Sequence, residues 1–448
     1  MHWEKREMRR RSRLAAACVA GAMWVTAAGA DTLRVPADYA TIQQAIDAAS
    51  PGDRVVVADG VYTGSGNVDL NFGGKAIVVQ SARGPAGCVI DCQASVSNPH
   101  RGFVFNSGET AESVVEGFTI RNGSTANGAI DDQFNGAAIL VTLGSSPTIR
   151  NMILTGNYAG CWGGAICCSH GSSPTILNCV MTGNTSNDDG GGVFAWNGSS
   201  PRILNCLIAD NHAPVTGGGV SIFDTGAVIV NSTIVNNVSR FGAGVLDSSS
   251  QTAIVNTIIR GNTGGDQIWG RPAVSYSNIE GGFTGAGNID AAPHYVDAST
   301  GDFRLLSGSP GVDAGDNQGV PADAASDLSG LPRFVDDAFT PDTGRGAAPI
   351  VDIGAFETQG GIPCTGSERI ASSRCRGDEF EHRLIVKLKK GAAGDAFAVR
   401  LSTGETAYGA LNDRGTGKAR FDQLFGEERG VQALWGCGAT DEDVYVCP

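Results

Sequence analysis

Two pairs of adjacent carboxylates stand out in the chain, Asp131-Asp132 and Asp188-Asp189, the second directly before Gly190-Gly191-Gly192. Hydrolysis of a glycosidic bond uses two carboxyl groups, one giving a proton and the other acting as base or nucleophile. Elimination across a uronate uses carboxylate-held calcium and a base for the proton. No lysine occurs between Lys75 and Lys387, so the bases of the central chain are Arg150, Arg202, Arg240 and Arg260. A guanidinium keeps its proton in water, so Arg202 and its neighbours are expected on a solvated face. Neither chemistry has a complete set of groups, and we expect no catalytic turnover.

Other residue types point to binding. Trp162, Phe194, Trp196, Phe223 and Phe241 recur beside glycine clusters. If Val193 and Ala195 face inward, strand alternation turns Phe194 and Trp196 outward. Outward aromatics on successive repeats would form a strip able to stack on sugar rings. A separate acidic group comprises Asp313, Asp316, Asp327, Asp336, Asp337, Asp342 and Asp352. It lacks the regular spacing of a calcium loop. Asp313, Asp316, Asp327 and Asp352 are the candidate ligands of a structural Ca2+, although no cofactor is required. Cys161, Cys167 and Cys168 have no CxxC pattern or spaced histidine that would hold zinc.

The elements that must position these groups come from a repeat. Pro147-Thr148-Ile149-Arg150-Asn151 returns as Pro174-Thr175-Ile176-Leu177-Asn178 and again from Pro201. One asparagine recurs at Asn151, Asn178, Asn205, Asn231 and Asn256. A second follows six residues later in each copy, at Asn157, Asn184, Asn211, Asn237 and Asn262. A fixed period of about 25 residues means a stacked array. Period-two alternation, as in Cys179/Met181 and Cys206/Ile208, means strands. Several short strands per coil describe a parallel β-helix. Both asparagine series are expected to stack as amide ladders, with Asn122 extending the second.

Length and composition add the frame. The chain has 448 residues, 64 of them glycine. Arg9-Arg10-Arg11-Ser12-Arg13, an apolar run from Leu14 to Ala28, and Ala28-Gly29-Ala30 read as a signal peptide over 1–30. That segment holds six of the 32 basic and two of the 46 acidic residues, leaving 26 against 44, a net charge of −18. Such a surface repels nucleic acid, and acidic glycans unless a cation bridges the charges. No later run is long enough to span a bilayer. Export permits disulfides, and Cys364–Cys375 and Cys437–Cys447 are the expected pairs. Cys88 and Cys92 are near enough in sequence for a tight third. Cys179 and Cys206 hold equivalent positions and are expected as stacked free thiols. Ile42, Ala45, Ile46 and Ala49 mark one face of a short helix that would cap the open end of the core.

The asparagine rhythm and the glycine clusters at Gly163-Gly164-Ala165-Ile166, Gly191-Gly192-Val193 and Gly218-Gly219-Val220 resemble secreted right-handed parallel β-helix proteins of the pectate-lyase-like superfold. They are also similar to repeats of bacterial polymorphic outer-membrane proteins. A polygalacturonase-like site would add an aspartate and a Gly-His-Gly on adjacent coils. The neighbouring copies carry Gly160-Cys161 and Pro214-Val215 instead, and His170 sits in Ser-His-Gly one coil upstream. From Ser275 the rhythm fails. Gly308-Ser309-Pro310-Gly311-Val312-Asp313-Ala314-Gly315-Asp316 and Val351-Asp352-Ile353-Gly354-Ala355-Phe356-Glu357 resemble the choice-of-anchor domain that closes many bacterial surface β-helix proteins. No apolar anchor helix or basic tail follows, which favours free secretion or periplasmic residence.

The expected fold is therefore all-β: a single-stranded right-handed parallel β-helix over 31–273 with an N-terminal helical cap. A closing region over 274–359 and a small disulfide-tied, sandwich-like β module over 360–448 follow. The expected function is binding of extracellular or cell-surface polysaccharide by a monomer, secreted to the exterior or periplasm. A polysaccharide lyase or glycoside hydrolase of the superfold is the alternative, and an adhesin or structural envelope protein a further one.

Overall fold

The computed structural model describes residues 30–126, 132–337, 340–359, 369–377, 382–390, 396–401, 406–412, 414–424, 428–435 and 440–446. The signal-peptide segment, Asp131, Cys364, Cys437, Cys447 and the side chain of Cys375 lie outside them, and so do both expected disulfides.

Short strands stack in parallel into three sheets of ten, nine and eight strands. The first runs from Thr32–Val35 to Ala273–Ser275, the second from Gly60–Tyr62 to Asn278–Ile279, and the third from Leu70–Asn71 to Ile268–Gly270. One coil reads Thr175–Leu177, Val180–Thr182 and Val193–Ala195, and the next Arg202–Leu204, Leu207–Ala209 and Val220–Ile222. The register makes columns of like residues: Ile149, Ile176, Ile203, Ile229 and Ile254 pair in sequence and all are fully buried. Side chains of alternate residues from all three sheets fill one continuous core. The helix Ile42–Ala48 covers its end, opened by a capping box between Thr41 and Gln44, with Ile42, Ala45 and Ile46 buried. A strand precedes this helix: Thr32–Val35 pairs with Arg54–Val57, so the array starts ahead of its helical cap.

The two asparagine series differ. In the second, Asn157 Nδ2 donates to Asn184 Oδ1 at 2.8 Å, Asn184 to Asn211 at 3.0 Å, Asn211 to Asn237 at 3.0 Å and Asn237 to Asn262 at 2.9 Å. Gln267 ends this ladder, accepting from Asn262 Nδ2 at 2.7 Å. In the first series the asparagines turn the chain between the first and second sheets with φ of 49–54°. Asparagine is chosen there because it tolerates the left-handed conformation. Only Asn256 reaches its neighbour Asn231, at 3.0 Å, while Asn178 Oδ1, Asn205 Oδ1 and Asn231 Nδ2 have no partner. The expected first ladder is therefore a column of corner residues. Asn122 is not in the second ladder either; the backbone N–H of Gly123 meets Asn157 Oδ1, and Asn122 bonds Asp91.

The residue after each corner asparagine makes a different column. Cys206, Ser232 and Thr257 point inward, and each backbone N–H donates to the next coil: Cys206 to Ser232 Oγ, Ser232 to Thr257 Oγ1, Thr257 to Ser277 Oγ. Cys179 and Cys206 are buried free thiols, as expected. Cys88 and Cys92 are also free, which overturns a third disulfide.

Residues 290–337 and 340–357 fold back along the outside. Phe303, Leu305, Val312, Ala314 and Ile353 cover Leu207, Ala209, Val235 and Ile258 of the second sheet. Ala324 and Val320 cover Leu204 and Val230 of the first. Arg202 pairs with Asp323 of this strap through two hydrogen bonds at 2.8 and 3.1 Å, so it is no free base. Beyond it, strands of Arg369–Val446 form antiparallel sheets of three and four around Leu384, Val386, Phe397, Val399, Phe421 and Val431.

Candidate functional site

The expected aromatic groups gather on the outer face of the third sheet. Its strands place Leu140, Cys167, Phe194 and Ser221 in register, pointing away from the core filled by Ile139, Ile166, Val193 and Val220. Gly191 and Gly192 let these coils approach: a Cβ on either would meet the carbonyl oxygen of Gly218 or Gly219 at 2.5 Å. Trp162 stacks on Phe194 with centroids 4.7 Å apart and meets Trp196 edge-on at 5.1 Å; Phe223 lies 5.9 Å from Phe194.

These rings are outward but not an open strip. Phe194 and Trp162 are 2% and 7% exposed, packed with Leu140, Cys161, Cys167 and Phe134. Alternation turns Phe194 from the coil core as expected, yet its stacking on Trp162 removes more apolar area from water than standing singly would. Trp196 and Phe223 are half-buried at the edge of this cluster. They follow Ala195 and Ile222, which pair in register, so they occupy one position on successive coils. Phe241 is separate and 41% exposed, with the Arg240 guanidinium 5.0 Å from its ring centre.

Polar groups border the aromatic cluster at two edges. At one, Trp162 Nε1 donates to Asp188 Oδ2 at 3.4 Å. Asp189, 9% exposed, accepts from Thr216 Oγ1 at 2.6 Å, and Thr216 bonds Ser221 at 2.8 Å. Burial, with a further push from Asp188, raises the Asp189 carboxyl to about 6 against the hydrogen bond from Thr216. At the other edge Asp132 accepts from Thr142 Oγ1 at 2.6 Å and from Ser169 Oγ at 2.9 Å. His170 Nδ1 lies 3.4 Å from Asp132, and its ring meets Trp196 edge-on at 5.7 Å. Asp132 does not share a cleft with Asp188 and Asp189: it is engaged at the far ends of the strands, and they at the near ends. Thr142, Ser169, Thr216 and Ser221 were not singled out in the sequence. A signal existed, since Thr142 with Ser169 and Asp189 with Thr216 are each spaced 27 residues apart, one coil.

Zinc at Cys161, Cys167 and Cys168 is excluded by direction, because Cys168 points into the coil core and the other two into the aromatic cluster. The acidic residues of the strap divide likewise. Asp316 caps the turn Asn317–Gly319 and lies 3.5 Å from Arg345. Asp327 accepts from the N–H groups of Leu331 and Glu357, and Asp352 from those of Asp313 and Thr358. These three therefore have partners of their own, and Asp313 lies instead beside Asp336 and Asp342.

Residues 132–279 match the model of a family described as a right handed beta helix region. The fold is a right-handed parallel β-helix. Comparison of this β-helix with solved structures finds the crystal structure of pectate lyase Pel9A at 15% identity, covering 74% of this chain and 97% of that one, with a TM-score of 0.37. Comparison with curated proteins finds no match. Among the described residues, no helix of the β-helix protein is long and apolar enough to cross a membrane.

Proposed function

We propose that this is an exported glycan-binding protein whose platform is the outer face of the third sheet. The observation that carries the reading is the pair Trp196 and Phe223, half-buried at one register position of adjacent coils and braced by the buried Trp162–Phe194 stack. Rings held this way offer apolar faces to sugars at low entropic cost. Asp188 and His170 at the borders supply polar partners for hydroxyls. The net charge of −18 left after residues 1–30 favours neutral glycans, or acidic ones bridged by a divalent cation. The test is retention on a panel of immobilised polysaccharides. Retention of the wild type on a neutral polysaccharide, weakened tenfold or more in Trp196→Ala/Phe223→Ala, is expected, on the order of 1–3 kcal/mol of lost stacking and burial. Failure to bind any glycan, or an unaffected double variant, sinks the proposal.

One observation favours glycoside hydrolysis as a second reading: Asp189 carries a raised carboxyl beside Asp188 at the platform edge. Release of reducing ends from a retained polysaccharide, abolished by Asp189→Asn, would establish it. Among the described residues no second carboxylate is placed across a substrate position, and we expect no such release.

A further inference from the structure

The strap that covers the first and second sheets holds an oxygen with no partner. Asp313 is fully buried, and its Oδ1 accepts no hydrogen bond. Everything else on the residue is engaged. Its N–H donates to Asp352 Oδ1 at 2.9 Å, its carbonyl accepts from Thr343 and Gly344, and its Oδ2 accepts from the Asp337 N–H at 3.3 Å. The carboxylate is surrounded by its own sign. One oxygen each from Asp313, Asp336 and Asp342 lie within 4.8 Å of one another, Asp313 buried and the other two exposed. Asp352 and Asp337, both fully buried, press on it from behind. Among the described residues no lysine, arginine or histidine pairs with Asp313, Asp336 or Asp342; the nearby Arg345 pairs with Asp316 and Arg333 with Glu357.

We propose that Asp313, Asp336 and Asp342 bind a calcium ion that fastens the strap. A buried carboxylate oxygen without a donor is costly unless a proton or a cation satisfies it. Calcium takes oxygens at 2.3–2.6 Å, so two oxygens across the ion stand no more than about 5 Å apart. Three carboxylate oxygens within 4.8 Å of one another fit that sphere. One buried and two exposed ligands leave the remaining positions to water, which calcium's flexible sphere of about six to eight oxygens accommodates. The ion would join Asp313 to Asp336 and Asp342. Thr343 and Gly344, directly after Asp342, already bond Asp313. This proposal is independent of the glycan platform, which lies on the third sheet.

The test uses the full-length protein, stripped with EGTA and titrated with CaCl2 alone by isothermal calorimetry. One site is expected, with Kd on the order of 0.1–1 mM, the range of extracellular modules. Thermal melts should shift upward with calcium and saturate, and magnesium at equal concentration should not reproduce the shift. In Asp336→Asn/Asp342→Asn, two surface substitutions that leave the core untouched, the calcium-dependent shift should vanish. The variant's circular dichroism in EGTA should match the stripped wild type, separating loss of the ion from loss of the fold. No heat of binding up to about 10 mM calcium, or undiminished binding in the double variant, overturns the proposal.

Discussion

At the residue scale, Asp189 shows how position in a coil changes chemistry. Its neighbour Asp188 stays half-exposed beside the Trp162 indole, whereas Asp189 is buried against Thr216. The folded carboxyl is pushed up to about 6, above the usual aspartate value of about 3.9. A raised pKa means the folded state holds the proton more tightly. This contribution to stability is fully present below about pH 4 and is lost as pH rises through about 6. Asp189→Asn, which keeps an oxygen for Thr216, should therefore be more stable than wild type at pH 7 by about 1–2 kcal/mol. It should also flatten the fall in stability between pH 4 and 7. Urea unfolding across that range measures it; superimposable pH profiles would show that Asp189 is not a buried carboxyl. Phe194 makes the companion case. Although it points away from the coil core, it is buried, so Phe194→Ala should cost about 3–5 kcal/mol, a core-sized penalty. A loss below about 1 kcal/mol in denaturant melts would show an open surface ring.

At the element scale, the asparagine ladder fixes where each coil turns from the second sheet toward the third. Each ladder asparagine gives one bond to the next side-chain amide and another to the preceding coil, as Asn211 does to Asn237 Oδ1 and Met181 O. Removing one leaves buried partners unpaired on two coils. Asn184→Ala should cost about 1–3 kcal/mol. Asn184→Ala/Asn211→Ala should depart from additivity by about 0.5 kcal/mol or more, because the two share a hydrogen bond. Asn178→Ala/Asn205→Ala should instead give two separable effects, since those side chains share no bond and hold corners through their backbone conformation. A double-mutant cycle on each pair decides it. Additive loss in the first pair would refute the ladder. The same contrast shows what the repeat made legible. Spacing revealed that both series recur, but a left-handed corner and an amide ladder select the same residue type.

At the scale of the whole molecule, the strap makes the exterior of the coils a second interior. Its anchor is Arg333, fully buried, which donates to the carbonyls of Gly354 and Ala355 at 3.0 and 2.8 Å and lies 3.6 Å from buried Glu357. Burial and the neighbouring Asp352 push Glu357 up, and Arg333 pulls it back. Arg333→Met would leave Glu357 and Asp352 without their cation at a cost of about 3–5 kcal/mol. The strap would then loosen from Leu207, Val235 and Ile258, so the variant should bind a hydrophobic dye at temperatures where the wild type does not. Unchanged melting and no dye binding would show that the strap does not depend on this ion pair.

The sequence by itself determined the coil, because a 25–27-residue period can bury its alternating apolar residues only by stacking. The Ile149–Ile254 column, the N-terminal cap and the buried thiols Cys179 and Cys206 all follow from that local periodicity. The breakdown of rhythm after Ser275 was legible too. Only the tertiary structure decided which groups meet. The aromatics beside the glycine clusters turn outward as alternation requires, but whether an outward ring is a platform or a second core depends on neighbours a coil away. That separates Trp196 from Phe194. Arg202 found its partner 121 residues later in Asp323, and Asp313 its neighbours in Asp336 and Asp342. No period links these segments. Burial and charge pairing across the fold, which spacing does not encode, set their chemistry.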